Sequence, residues 1–192
     1  MDFARALRRE PGPDRTAAIV AWFQSLFDSD PPVLVGGAAV ELYTGGAYRT
    51  GDLDFVGRVP REVSRMLEGT GFKKRGRHWI HEEAEVYIEL PAAAFDRKVR
   101  IDAIQIDEWT IVLLSPEDVL VDRLAAWKFW RVPVEGINSY LLYRARGQAM
   151  DGKRLEEVAG VEGVADALDS LRRFGDRDRE PEEIEAWAEA KP

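Results

Sequence analysis

The chain has 192 residues, 45% of them hydrophobic and 32% charged, a composition that buries a core and excludes both a disordered chain and a large multidomain assembly. Its formal charge of −8 argues against a blanket grip on nucleic acid phosphates, and the absence of cysteine excludes disulfides, thiolate metal sites and cysteine nucleophiles. No apolar run approaches the roughly 20 residues that a membrane helix needs, and the N-terminus lacks the basic, apolar and small-residue series of a secretion signal, so a cytoplasmic protein is expected.

From Asp14 to Asp28, the apolar residues Ala18, Ile19, Trp22, Phe23, Leu26 and Phe27 recur at steps of three and four, which predicts an amphipathic helix between Pro13 and Pro31. Val33-Leu34-Val35 reads as a buried strand closed by Gly36-Gly37, and Ala38 to Tyr43 as a helix stopped by Gly45-Gly46. Asp52 to Val56 is the next strand. A helix follows from about Pro60 to Glu68, with Val63, Met66 and Leu67 on its apolar side and Gly69 and Gly71 at its end. The segments 72–74, 77–81, 85–90, 99–106 and 109–114 are short, partly alternating and bounded by turns, as strands of a mixed sheet would be.

At Ser115-Pro116-Glu117-Asp118 the pattern turns helical, with an N-cap, a proline at the first helical position and acids in the first turn. Helices are expected at about 116–131, 136–149, 152–158, 161–174 and 181–190, the last docked by Trp187. The fold class is therefore α/β (α+β), with a mixed-sheet core over 1–114 and a helical C-terminal layer over 115–192 packed on it. No internal repeat or low-complexity tract interrupts it.

Asp52 and Asp54 are two apart in a strand, so both carboxylates emerge on one face while Leu53 and Phe55 point to the other. Two such acids are either solvated at a strand edge or neutralised by a divalent cation, and oxygen ligands suit magnesium or manganese held together with a substrate phosphate. Gly36-Gly37 at a helix N-terminus offers backbone amides to phosphate, or simply makes a tight turn. Glu89, inside the apolar run Val86 to Leu90, needs a cation or a donor. His78 and His81 fall on opposite faces of a strand, which argues against a two-histidine metal site. Lys73, Lys74, Arg75 and Arg77, with Trp79 nearby, make one dense basic patch, readable as a solvated hairpin or as a nucleic acid contact.

Together these residues resemble the nucleotidyltransferase superfamily that includes DNA polymerase β, and within it the minimal and abortive-infection toxin-like branches. The resemblance runs from about Val33 to Lys128. It rests on Val35-Gly36-Gly37 followed, after a slightly long gap, by Asp52-Leu53-Asp54-Phe55, and on Arg49-Thr50 ahead of the acids, as in the toxin-like branch. It implies that Asp52, Asp54 and Glu89 are catalytic and hold Mg2+ or Mn2+, with Glu89 also assisting proton removal. It implies that Gly36, Gly37, Arg49, Thr50, Arg123 and Lys128 bind a nucleoside triphosphate such as ATP. The implied reaction transfers a nucleoside monophosphate to the 3′ end of an RNA, a protein or a small-molecule hydroxyl, in a toxin–antitoxin or phage-defence setting with an antitoxin partner protein. The alternative is an inactive member that serves as a nucleotide-binding or protein-interaction module. Arg123, three residues after Leu120 and four before Trp127, falls on the apolar side of its helix, where it either reaches the triphosphate or forms a salt bridge to Asp118 or Asp122. Arg49 has the same two readings, a phosphate contact or a salt bridge within its loop.

Overall fold

The computed structural model describes residues 2–106 and 109–190, and the chain divides into two compact units, Met1–Leu114 and Ser115–Pro192. The first unit runs α1 (Phe3–Leu7), α2 (Pro13–Gln24), β1 (Val33–Val35), α3 (Gly36–Thr44), β2 (Asp52–Val56), α4 (Arg61–Gly69), β3 (Lys73–Arg75), β4 (His78–His81), β5 (Val86–Ala92), β6 (Ile101–Ile106) and β7 (Trp109–Leu114).

Its seven strands make one mixed sheet in the order β3-β4-β5-β2-β1-β7-β6. β2 lies between antiparallel β1 and parallel β5, and β1 is parallel to β7. Paired residues face the same side, so the register sorts the strands into two faces. Leu34, Phe55, Leu53, Ile88, Trp79 and Leu113 share one face, and all are buried. α2 belongs to this core, with Phe23 and Phe55 ring centroids 4.7 Å apart. The other face carries Asp52, Asp54 and Glu89.

α2 stops at Gln24, short of the expected Asp28, because the chain tightens there into three-residue turns: the Leu26 N–H donates to Phe23 O and the Phe27 N–H to Gln24 O. Gln24 then acts as a strand rung. Its amide donates to Pro32 O at 2.9 Å and Val112 O at 2.6 Å, and its oxygen accepts the Val112 N–H at 2.9 Å. α1 had no counterpart among the expected elements, since five residues are too few for a periodic signal. It seats Phe3 against Trp22, with ring centroids 4.3 Å apart.

The second unit runs α5 (Pro116–Trp130), α6 (Pro133–Arg146), a 3-10 turn (Gly147–Ala149), α7 (Gly152–Val161), α8 (Ala165–Phe174) and α9 (Pro181–Ala190). Ser115 caps α5 through the Asp118 N–H at 3.3 Å. α6 starts at Pro133, earlier than expected, because proline suits the first helical position. α8 starts later, after Gly163 turns the chain at φ +69°. α9 is docked as expected: Trp187 stacks on Phe174 at 4.7 Å, and the Trp127 indole N–H donates to Ala188 O at 2.6 Å. Among the described residues no helix is long and apolar enough to cross a membrane.

Candidate functional site

Val35, Asp54, Glu89 and His78 form one row across β1, β2, β5 and β4, and Asp52, Tyr87 and Ile80 form the next. Neighbouring strands in such a row stand about 4.8 Å apart. Asp52 is exposed and Asp54 half-buried, so the alternation in the sequence does place both carboxylates on the face away from the core.

The glycines explain why Asp54 sits where it does. Gly36 opens α3 at φ +69°, and a Cβ there would lie 2.3 Å from Asp54 Oδ2. The carboxylate thus rests against the first turn of α3, the end of a helix that favours negative charge. Gly37 serves a different neighbour, since a Cβ there would stand 3.1 Å from both Thr50 Oγ1 and Tyr48 Cε1. Its missing side chain lets the 48–50 loop close over the helix. Thr50 in turn holds the entry to β2, its hydroxyl donating to Asp52 O at 3.3 Å and accepting the Asp52 N–H at 3.4 Å.

Glu89 has the partners that its burial demands, but they are basic side chains. Its Oε1 lies 2.6 Å from Arg77 Nε and its Oε2 3.3 Å from His78 Nε2. Its carboxylate is therefore engaged toward β4, and among the described residues no three His, Asp or Glu side chains form a group able to hold a metal ion. A magnesium or manganese ion fits Asp52 and Asp54 as a pair, because such ions take one or two carboxylates and complete their shell with substrate phosphates and water. It does not fit Glu89 as placed. His81 lies on the opposite face from His78, its ring packed against Phe3 and Phe72. In the basic patch, Lys73 and Arg75 both pair with Glu82, and Lys74 lies over the buried Trp79 ring.

Arg123 and Lys128 are engaged inside the second unit. Arg123 pairs with Glu135 at 2.9 Å, not with Asp118 or Asp122, because α6 brings Glu135 alongside while Asp118 is held by Arg154. Lys128 donates to Gly163 O at 2.8 Å and to Asp166 at 2.5 Å. That hydrogen bond holds the Asp166 carboxyl below the usual range.

Glu41 is a residue that the sequence reading passed over, although a charge within Ala38-Ala39-Val40-Glu41-Leu42 is itself a signal. It is 2% exposed, accepts the Thr16 hydroxyl at 3.1 Å, and faces the Thr50 N–H at 3.5 Å. Burial raises its carboxyl above the ordinary value of 4.5, against the lowering effect of Thr50, Thr16 and the Arg49 charge. An acid with a raised folded-state pKa is held protonated more strongly by the folded chain, so the stability it contributes is present at low pH and lost as pH rises through that value. Glu41→Gln, which stays neutral, should therefore gain on the wild type as pH rises. Urea unfolding at about pH 4, below the ordinary value, and at about pH 8 checks this, and an unchanged difference between the two proteins would contradict it.

No protein-family model matches the chain, and no curated protein matches it. Among solved structures it is similar to an antigenic nucleotidyltransferase-like protein from Paracoccidioides brasiliensis, with 18% identity, a TM-score of 0.58, and coverage of 92% of this chain and 93% of that one. At that identity the likeness is one of fold, and the mixed sheet with its helices is a nucleotidyltransferase-like fold.

Proposed function

We propose that the chain binds a nucleoside triphosphate beside Asp52, Asp54 and the N-terminus of α3, and transfers its nucleoside monophosphate to an acceptor hydroxyl. The observation that carries this reading is the seating of Asp54 against Gly36, with Asp52 on the same face, in a nucleotidyltransferase-like fold. A magnesium or manganese ion held by the two aspartates would neutralise charge on the phosphates. The chain's own part is to aim both carboxylates at one place, to present the amide end of α3 to anionic oxygen, and to keep the entry to β2 fixed through Thr50. In the transfer, the acceptor oxygen bonds to the α-phosphorus as its proton passes to water, the bond from the α-phosphorus to the oxygen bridging the β-phosphate breaks, and pyrophosphate leaves.

The acceptor class and a toxin–antitoxin setting rest on the resemblance of Arg49-Thr50 and Asp52-Leu53-Asp54 to the toxin-like branch. The test is label transfer from each α-labelled triphosphate, with magnesium or manganese and a cell extract, beside an Asp54→Asn variant. Label transfer should fall about a hundredfold or more in the variant, and sensitivity of the product to nuclease, protease or neither names the acceptor. A specific observation favours a second reading: Glu89 is engaged by Arg77 and His78, as suits a nucleotide-binding module without transfer. Triphosphate binding with no transferred label would decide for that reading, and absence of both would sink the two together.

A further inference from the structure

A cavity of about 220 Å³ opens at the end of β2 where Asp52 lies. It adjoins the acid pair. Gly51 and Leu53, on either side of Asp52 in the chain, both line it, and so does Tyr87, which stands opposite Asp52 on the same face of the sheet. Arg49 and Thr50, which the resemblance assigns to the nucleotide, line it too. The cavity is therefore beside the place proposed for the triphosphate, where another part of the same molecule can enter it.

Its lining balances in charge, with Arg15 and Arg49 against Glu41 and Glu85, so it suits an uncharged group that carries both donors and acceptors. Ile19, Leu53 and Val86 give it an apolar wall, and Tyr87, 38% exposed, offers a ring, as a flat aromatic ligand requires. The volume sets the size, since it is below that of sites for drug-sized ligands and fits one planar ring system. Glu41 supplies a fixed acceptor. It is 2% exposed and is held by the Thr16 hydroxyl and the Thr50 N–H, while a carboxylate has about four lone-pair sites in all. Burial raises its carboxyl above the ordinary value of 4.5, so its charge is costly where it stands, and two further N–H donors would offset that cost. Of the common bases, guanine presents two neighbouring donors, N1–H and the 2-amino group, next to the O6 and N7 acceptors that arginine recognises. Adenine and cytosine place an acceptor beside their amino donor, and uracil has a single N–H between two carbonyls.

We infer that this cavity holds the base of the nucleoside triphosphate and selects guanine, with N1–H and the 2-amino group donating to Glu41, O6 and N7 accepting from Arg15, and the ring against Tyr87. Arg15 directly precedes Thr16, the residue that bonds Glu41, so donor and acceptor stand side by side as the guanine edge does. The inference rests on the proposed nucleotidyl transfer site and names its substrate as GTP.

The test is titration calorimetry on the full chain with magnesium and GTP, ITP or ATP, and with guanosine and adenosine, which have no phosphate. GTP should bind about tenfold more tightly than ITP, which lacks only the amino donor, and about a hundredfold more tightly than ATP. Guanosine should bind more tightly than adenosine, and Asp54→Asn should weaken GTP without changing the order of the two nucleosides. Tyr87→Ala should weaken GTP about tenfold, with Tyr87→Phe binding as the wild type does. Glu41→Gln, verified as folded by circular dichroism, should lower the preference for GTP over ATP about tenfold. The inference is overturned if neither GTP nor guanosine binds, if GTP binds no more tightly than ITP or ATP, or if Tyr87→Ala and Glu41→Gln both behave as the wild type. Label transfer with equal use of all triphosphates would overturn the base pocket and leave the proposed transfer standing. Guanosine binding with no label transferred from any triphosphate would do the reverse.

Discussion

Gly36→Ala should destabilise the first unit by about 3 kcal/mol and abolish label transfer. Two costs combine in it. An alanine at φ +69° pays the left-handed backbone penalty of roughly 1–2 kcal/mol, and its methyl carbon would sit 2.3 Å from Asp54 Oδ2 and 3.1 Å from the Asp54 Cβ and Cγ. The carboxylate must leave the helix end, so the same change that strains the fold also dismantles the acid pair. Gly37→Ala is the internal control, because its φ is ordinary and its nearest contacts are at 3.1 Å to side-chain atoms of Thr50 and Tyr48. The helix preference for alanine offsets that crowding, and the net change should stay within about 1 kcal/mol. Urea unfolding, with amide exchange at Leu34 and Phe55 to report on the first unit, separates the two. Equal stability of Gly36→Ala and wild type, or a larger loss at Gly37, would contradict the account.

Asp118→Ala should cost the second unit about 3–5 kcal/mol. Asp118 is fully buried. Its Oδ2 accepts the Ser115 hydroxyl at 2.8 Å and is paired with Arg154 Nη2, while its N–H is the donor that Ser115 caps. Removing the carboxylate leaves a largely buried guanidinium, one-fifth exposed, without its charge partner, and leaves the Ser115 hydroxyl without its acceptor. The double variant Asp118→Leu with Arg154→Met, which takes away both charges, should be less destabilised than the sum of the two single changes. Amide exchange at Leu120 and Leu124 is the readout. A loss of under about 1 kcal/mol in Asp118→Ala would mean that the pair is solvated and carries little.

What could be read from the sequence was local. β7 and α9 have the expected bounds, 109–114 and 181–190, because each is flanked by unambiguous turn or cap signals. The sharing of one face by Asp52 and Asp54 follows from the two-residue period of a strand alone. The position of Glu89 beside Asp54 depends on β2 and β5 pairing in parallel, which no local pattern encodes, and its engagement by Arg77 depends further on β4 lying beyond β5. Ion pairs failed in the same way. The sequence offers Arg123 either a triphosphate or the acids of its own helix, whereas its partner, Glu135, comes from the next helix. The first-turn acids of α5 read as helix-end charges, yet Glu117 accepts the Asp151 N–H and Asp118 holds Arg154, both partners lying at the start of α7. Arg15, Arg49 and Glu41 meet only because α2, α3 and the 45–51 loop converge on one cavity.

β1 is three residues long, yet it separates β2, made soon after it, from β7, the last strand of the sheet to be synthesised. Its pairing with β7 joins Leu34 to Leu113, 79 positions apart in the chain. As the chain leaves the ribosome, β1 can take up β2 early but must keep its other edge open until the final strand arrives. Gln24 waits with it, since its Val112 partners lie on that same strand. A nascent chain halted before residue 109 would expose the bare edge of β1 and leave Gln24 with its bond to Pro32 O but without its two bonds to Val112, at the centre of what becomes the core.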